Sequence, residues 1–189
     1  MEPAAVLDLF RSCGALLEGH FQLSSGLHSP GYLQCALVLE HPAHAETLGR
    51  ALAERTRALA PTVALSPALG GVIIGHEVAR ALGIRAVFVE REQDELTLRR
   101  GFHIAPPDRV LIVEDVITTG GATRATMRVA EAAGAQVVGV ATLINRLGDH
   151  AFTVPFETLA TVSLPTYAPS GCPLCAGRTP LVKPGSRHT

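Results

Sequence analysis

The stretch VLIVEDVITTGGAT, Val110 to Thr123, constrains this chain more than any other, because an unbroken apolar run leads into two adjacent carboxylates and a hydroxyl- and glycine-rich turn. Val110 to Val113 carry no polar alternation, the pattern of a strand covered on both faces in a parallel sheet. Such sheets place ligand crevices outside the carboxyl ends of their strands, where Glu114 and Asp115 are expected to emerge. Val116, Ile117, Thr118, Thr119, Gly120, Gly121 and Ala122 follow as a loop, and Ala122 to Ala133 read as the next helix.

Small residues with unhindered N–H groups at a helix start can wrap a phosphate monoester, with help from the helix dipole. Two carboxylates touching that phosphate would repel it. Their expected partners are sugar hydroxyls, or a Mg²⁺ held between sugar and pyrophosphate, and a phosphorylated ribose meets all of these demands. The plain alternative is a strand-to-helix turn with a capping Thr and an exposed acidic pair. The strand before and the helix after supply the context that makes such a motif believable.

With this motif the chain resembles the type I phosphoribosyltransferases, whose ribose-phosphate signature is an apolar strand, two acidic residues and a Thr/Gly-rich loop. A second strand-to-helix junction, SPALGG from Ser66 to Gly71, lies between an expected strand at Thr62 to Leu65 and an expected helix at Gly70 to Leu82. The two loops fall on one edge of a parallel sheet. The resemblance implies that this second loop binds the pyrophosphate of phosphoribosyl pyrophosphate (PRPP), through backbone N–H groups of Ala68, Leu69 and Gly70, with a strained peptide expected there.

The rest of the chain supports an α/β fold: a mostly parallel sheet flanked by helices, a small N-terminal hood lobe and a flap hairpin. Its 189 residues suffice for one domain with a sizeable core, expected to span 1–189, with the hood at about 14–35, the core at about 42–165 and a C-terminal tail. Pro3 to Cys13 and Pro42 to Leu59 read as helices, Ala86 to Glu90 as a strand, and Ala135 to Leu143 as a last strand that delivers Asn145 and Arg146 to the ligand edge. Glu90 to Ile104 alternates like a hairpin with a polar turn near Gln93 to Glu95. Its Arg91, Arg99 and Arg100 suit a flap whose guanidinium groups give pyrophosphate bidentate contacts and exclude water; a solvated hairpin is the alternative.

A formal net charge of -1 with 47% hydrophobic residues argues against a general affinity for nucleic acid. Apolar runs are broken well before the ~18 residues of a membrane span, and Met1 to Asp8 lacks the basic region of a signal peptide, so a cytoplasmic location is expected. Fifteen cations are Arg and one is Lys183. Cys172 and Cys175 have metal-ligand spacing, but zinc wants four ligands. His188, Cys13 or a second subunit could complete a site; the expectation is a turn with reduced thiols, and no residue is assigned to a resident metal.

FQLSSGLHSPGYLQ, Phe21 to Gln34, resembles the amino-terminal segment of the orotate phosphoribosyltransferases, and YAPSGCPLCAGRTPLVKPGSR looks like the tail of a short branch of that family. The resemblance implies transfer of ribose 5-phosphate from PRPP to orotate, giving orotidine 5'-monophosphate and pyrophosphate, with Mg²⁺ as cofactor and a homodimer as the working form. Glu114 and Asp115 would hold the ribose hydroxyls, the Val116 to Ala122 loop the 5'-phosphate, and Thr118 and Arg146 the orotate. Better-known members carry Lys where this chain has Ser24, and a lysine-bearing flap where it has Thr97 to Phe102. The implied catalytic set is therefore Asp115, Arg99 and Arg100, the arginines acting electrostatically because a pKa above ~12 makes a poor proton donor. Another base as acceptor, or an inactive nucleotide-sensing regulator on the same fold, are the competing readings.

Overall fold

Runs without polar alternation are stable only as strands covered on both faces, and three of them build the centre of this fold. The computed structural model describes residues 1–23, 25–93, 95–147 and 152–184. In chain order the elements are α1 (Pro3–Ser12), β1 (Leu16–Gln22), β2 (His28–Leu33), α2 (Ala36–Leu39), α3 (Pro42–Thr56), β3 (Val63–Pro67), α4 (Gly70–Leu82), β4 (Arg85–Glu92), β5 (Glu95–Leu98), β6 (Arg109–Ile117), α5 (Gly121–Ala132), β7 (Gln136–Asn145), β8 (Phe156–Thr161) and α6 (Pro173–Ala176).

Six strands form one sheet in the order β5-β4-β3-β6-β7-β8. All pairs are parallel except β4 with β5, the flap hairpin at the edge. Every residue of β3 is buried, as is Val110 to Glu114 of β6. Because side chains alternate across a strand, Leu111 and Val113 join the core formed with α1, α3 and α4, while Val110 and Ile112 join the core beneath α5. Helix α1 lies outside the expected core bounds yet contributes the fully buried Val6 and Phe10.

Several boundaries differ from the sequence reading. Strand β6 does not stop at Val113; it continues through both carboxylates to Ile117, because β7 also continues, pairing Glu114 with Thr142, Val116 with Ile144 and Ile117 with Asn145. The strand expected to be last is followed by β8, a short segment after Pro155 whose FETLAT pattern carries little apolar signal. The first long helix ends at Thr56 and tightens into a 3₁₀ turn at Arg57–Leu59.

The hood is more regular than its Ser, Gly and Pro content suggests: β1 and β2 form an antiparallel hairpin whose register shifts between Glu18 and Phe21. The C-terminal segment extends it, with Tyr167 bridging to His28 and Val182 to Phe21. Ser24 lies outside the described residues.

Candidate active site

The three parallel strands β3, β6 and β7 end on one edge, and contacts between their following turns make that edge a single surface. Gly70 sits so close to Asp115 that a Cβ there would lie 2.7 Å from Oδ1 and 2.9 Å from Oδ2. Only glycine leaves room for the carboxylate at the start of α4. On the other side, the Arg146 N–H donates to the Ile117 carbonyl at 2.8 Å, joining the end of β7 to the end of β6.

The extension of β6 through Glu114 and Asp115 has a consequence that their adjacency in sequence conceals: they leave opposite faces of the sheet. Glu114 is buried toward α5, where the Thr123 hydroxyl donates to its Oε1. Asp115 is half-buried beside Gly70 and close to the Cys35 thiol. Burial, aided by the charge on Asp115, pushes the Glu114 carboxyl up to about 7. Burial also raises Asp115, and raises Cys35 with help from the Asp115 charge. Cys35 left no signal in the sequence reading; Thr123 closes the motif without having been given a role.

The ribose-phosphate turn is shorter than expected. Val116 and Ile117 belong to the strand and pair with β7, so the turn proper runs from Thr118 to Gly121. Thr118 and Thr119 are exposed, and Gly120, at φ 72°, takes the left-handed conformation that caps α5. The N–H groups of Gly121 and Ala122 then open the first helical turn, which has no intrahelical acceptors for them. The Arg124 guanidinium braces the turn by donating to the Thr119 carbonyl at 2.8 Å.

In the second turn the Ala68–Leu69 peptide is cis. The Ala68 N–H donates to the Val89 carbonyl at 2.8 Å, which removes it from the expected pyrophosphate cradle and leaves the N–H groups of Leu69 and Gly70. Leu69 itself is 87% exposed, an unusual place for a leucine and one consistent with a turn shaped for its backbone.

Arg146 brings one buried, unmatched donor to this edge. Its Nε is buried with no hydrogen-bond partner among the described residues, and burial lowers the pKa of its guanidinium. Buried polar groups are nearly always paired, so this donor on the ligand edge is available to an added acceptor.

Arg99 and Arg100 are held within the flap by its own carboxylates. Arg100 makes a bidentate pair with Glu90, at 2.7 and 2.8 Å, and lies 5.8 Å from the Phe88 ring centre. Arg99 pairs with Glu92 at 3.8 Å. Arg91 instead lines a groove of about 530 Å³ with Leu96, Leu98, Gly121 and Ala122, between β5 and α5. Asp94, at the hairpin turn, lies outside the described residues.

Glu114 predicts a pH dependence. Its folded pKa of about 7 lies above the ordinary 4.5, so between those values the folded state holds a proton that the unfolded state has released. Stability of the ligand-free protein should therefore fall as pH rises from about 4.5 through 7, by on the order of 2–3 kcal/mol from this group. Thermal melts of wild type and Glu114→Gln across pH 5–8 check this: the variant should lose that part of the slope, and parallel curves would refute it.

Comparisons with known proteins agree with this geometry. The sequence model described as "Phosphoribosyl transferase domain" matches residues 36–153. An orotate phosphoribosyltransferase of Carboxydothermus hydrogenoformans is 50% identical over 182 residues, covering 95% of each chain. One of Heliobacterium modesticaldum is 48% identical, covering 99% of this chain and 100% of its own. Among solved structures, the Mycobacterium tuberculosis orotate phosphoribosyltransferase in complex with inorganic phosphate superposes with a TM-score of 0.70 at 23% identity, over 84% of this chain and 95% of that one.

Proposed function

This chain belongs to the orotate phosphoribosyltransferases of the phosphoribosyltransferase family, and from that premise we propose how its residues transfer ribose 5-phosphate from PRPP to orotate, yielding orotidine 5'-monophosphate and pyrophosphate. The observation that carries the choice of acceptor is the unmet, buried Nε of Arg146 on the ligand edge. A pyrimidine carboxylate supplies the acceptor it lacks, with Thr118 as its neighbour across the β6–β7 junction.

The 5'-phosphate sits on the N–H groups of the Thr118–Ala122 turn, and the ribose hydroxyls lie at the acidic pair. Of that pair Asp115 makes the direct contact, because its carboxylate lies against Gly70 at the pyrophosphate turn. Glu114 braces the start of α5 through Thr123. Departure of pyrophosphate leaves positive charge on the sugar ring, so the work of the protein is to position both reactants and stabilise the leaving group. Asp115 and the substrate oxygens are hard donors of the kind Mg²⁺ prefers, so Asp115 would hold a metal carried in with PRPP, while Glu114 is turned to the other face and engaged by Thr123. When bound, the metal neutralises pyrophosphate charge.

Arg99 and Arg100 serve the pyrophosphate by exchanging the carboxylates of Glu92 and Glu90 for phosphate oxygens. Because both pair within their own flap, a homodimer in which each flap serves the neighbour's site fits them best. Alanine at Arg99 or Arg100 is expected to lower kcat at least tenfold, roughly 1.4 kcal/mol. Lysine at the same position should restore part of the loss, since charge survives and fork geometry does not. Full turnover in both alanine variants would remove the flap from the mechanism.

None of the four cysteines is in a disulfide, which fits a cytoplasmic location; no helix among the described residues is long and apolar enough to cross a membrane. The acceptor is tested by melting the protein with nucleotides. Orotidine 5'-monophosphate should raise Tm more than uridine 5'-monophosphate, which lacks only the carboxylate. Equal shifts would argue for a different base.

A further inference from the structure

Four metal-ligating side chains from the two ends of the chain converge. We infer that His20, His28, Cys172 and Cys175 form a structural zinc site that staples the β1–β2 hairpin to the C-terminal segment. His20 Nε2 lies 2.9 Å from His28 Nδ1, 3.5 Å from Cys172 Sγ and 3.7 Å from Cys175 Sγ, and Cys175 Sγ lies 3.3 Å from His28 Nδ1. All four ligand atoms fall within 4.8 Å of one another. Zn–S bonds of about 2.3 Å and Zn–N bonds of about 2.0–2.1 Å, set at tetrahedral angles, require edges of about 3.5 Å between sulfur and nitrogen and about 3.3 Å between nitrogens. The cluster already has nearly those edges.

Hydrogen bonding assigns the tautomer. His20 Nδ1 lies 2.8 Å from the Thr179 carbonyl oxygen, which can only accept. The proton therefore sits on Nδ1 and the lone pair of Nε2 points into the cluster. A backbone carbonyl holding the far nitrogen is the usual outer support of a zinc-bound imidazole. His20, His28 and Cys172 are exposed by only 2%, 4% and 4%, so their polar atoms need partners inside the protein. Thiols are weak donors and weak acceptors. A cation satisfies these three and the exposed Cys175 at once, and their N and S character selects zinc over Mg²⁺ or Ca²⁺.

The sequence reading expected free thiols in a turn and considered His188 or Cys13 as further ligands. His188 lies outside the described residues. Cys13 lies at 3.5 Å from His44 in a separate, more exposed group with His41. The missing half of the site was in the hood, where two histidines eight positions apart face each other across the hairpin.

The test uses the full chain, expressed with zinc in the medium and purified without chelator. Elemental analysis should find about one zinc per chain, lost in Cys172→Ser/Cys175→Ser and kept in Cys13→Ser. Replacing zinc by Co²⁺ in the wild-type protein should give the visible bands of tetrahedral cobalt with a thiolate charge-transfer band, a readout that does not depend on the variants folding. Chelation should lower Tm and added Zn²⁺ restore it. Substoichiometric metal with no cobalt spectrum, a Cys172–Cys175 disulfide by mass, or metal lost only in Cys13→Ser would overturn the assignment.

Discussion

Asp115→Asn should lower kcat/KM for PRPP by about a hundredfold or more, roughly 2.7 kcal/mol, while leaving the fold intact. The carboxylate offers charge-assisted acceptors to two hydroxyls, each worth roughly 1.5–3 kcal/mol, and an amide keeps one uncharged acceptor and adds a donor. Burial already raises the pKa of this group, so ionised Asp115 is a cost to the ligand-free protein and the neutral isostere removes it. Tm of the variant without ligand should therefore hold steady or rise. Near-wild-type kcat/KM would detach Asp115 from the ribose, and a collapse of Tm would make it structural.

Arg146→Ala should raise the KM for orotate about ten- to a hundredfold and change that for PRPP little. The half-buried Arg146 has no acceptor for its buried Nε among the described residues, so its removal takes a charge-assisted contact of roughly 1.5–3 kcal/mol from the substrate carboxylate and little from the protein. Equal movement of both Michaelis constants would mean that Arg146 shapes the edge rather than reading the base.

How far the sequence reached follows from what short-range patterns encode. Val110 to Val113, the Thr118–Gly121 turn and the helix after it are contiguous, and their chemistry was legible because strand, turn and helix N-terminus each leave a local mark. The opposite facing of Glu114 and Asp115 was not, because it depends on where β6 ends, and that is decided by pairing with β7. Ala68 was lost from the cradle for a similar reason: its N–H is taken by Val89, on a neighbouring strand. Cys35 beside Asp115 and the meeting of His20 with Cys172, 152 positions apart, are contacts of the folded chain alone. The flap was read correctly as a hairpin, but its counter-charges Glu90 and Glu92 sit within the same segment as the arginines, and sequence did not say that they would pair.

The central claim is that this edge joins PRPP to orotate, and the most direct measurement is steady-state product formation by the purified protein with PRPP, Mg²⁺ and a panel of bases: orotate, uracil, adenine, hypoxanthine and guanine. Orotate should be consumed with one pyrophosphate released for each orotidine 5'-monophosphate formed, and the other bases should turn over at least about a hundredfold more slowly, the discrimination expected where a buried charge is left unpaired by the wrong substrate. Turnover of a purine or of uracil at a rate matching orotate, or none with any base, would contradict it.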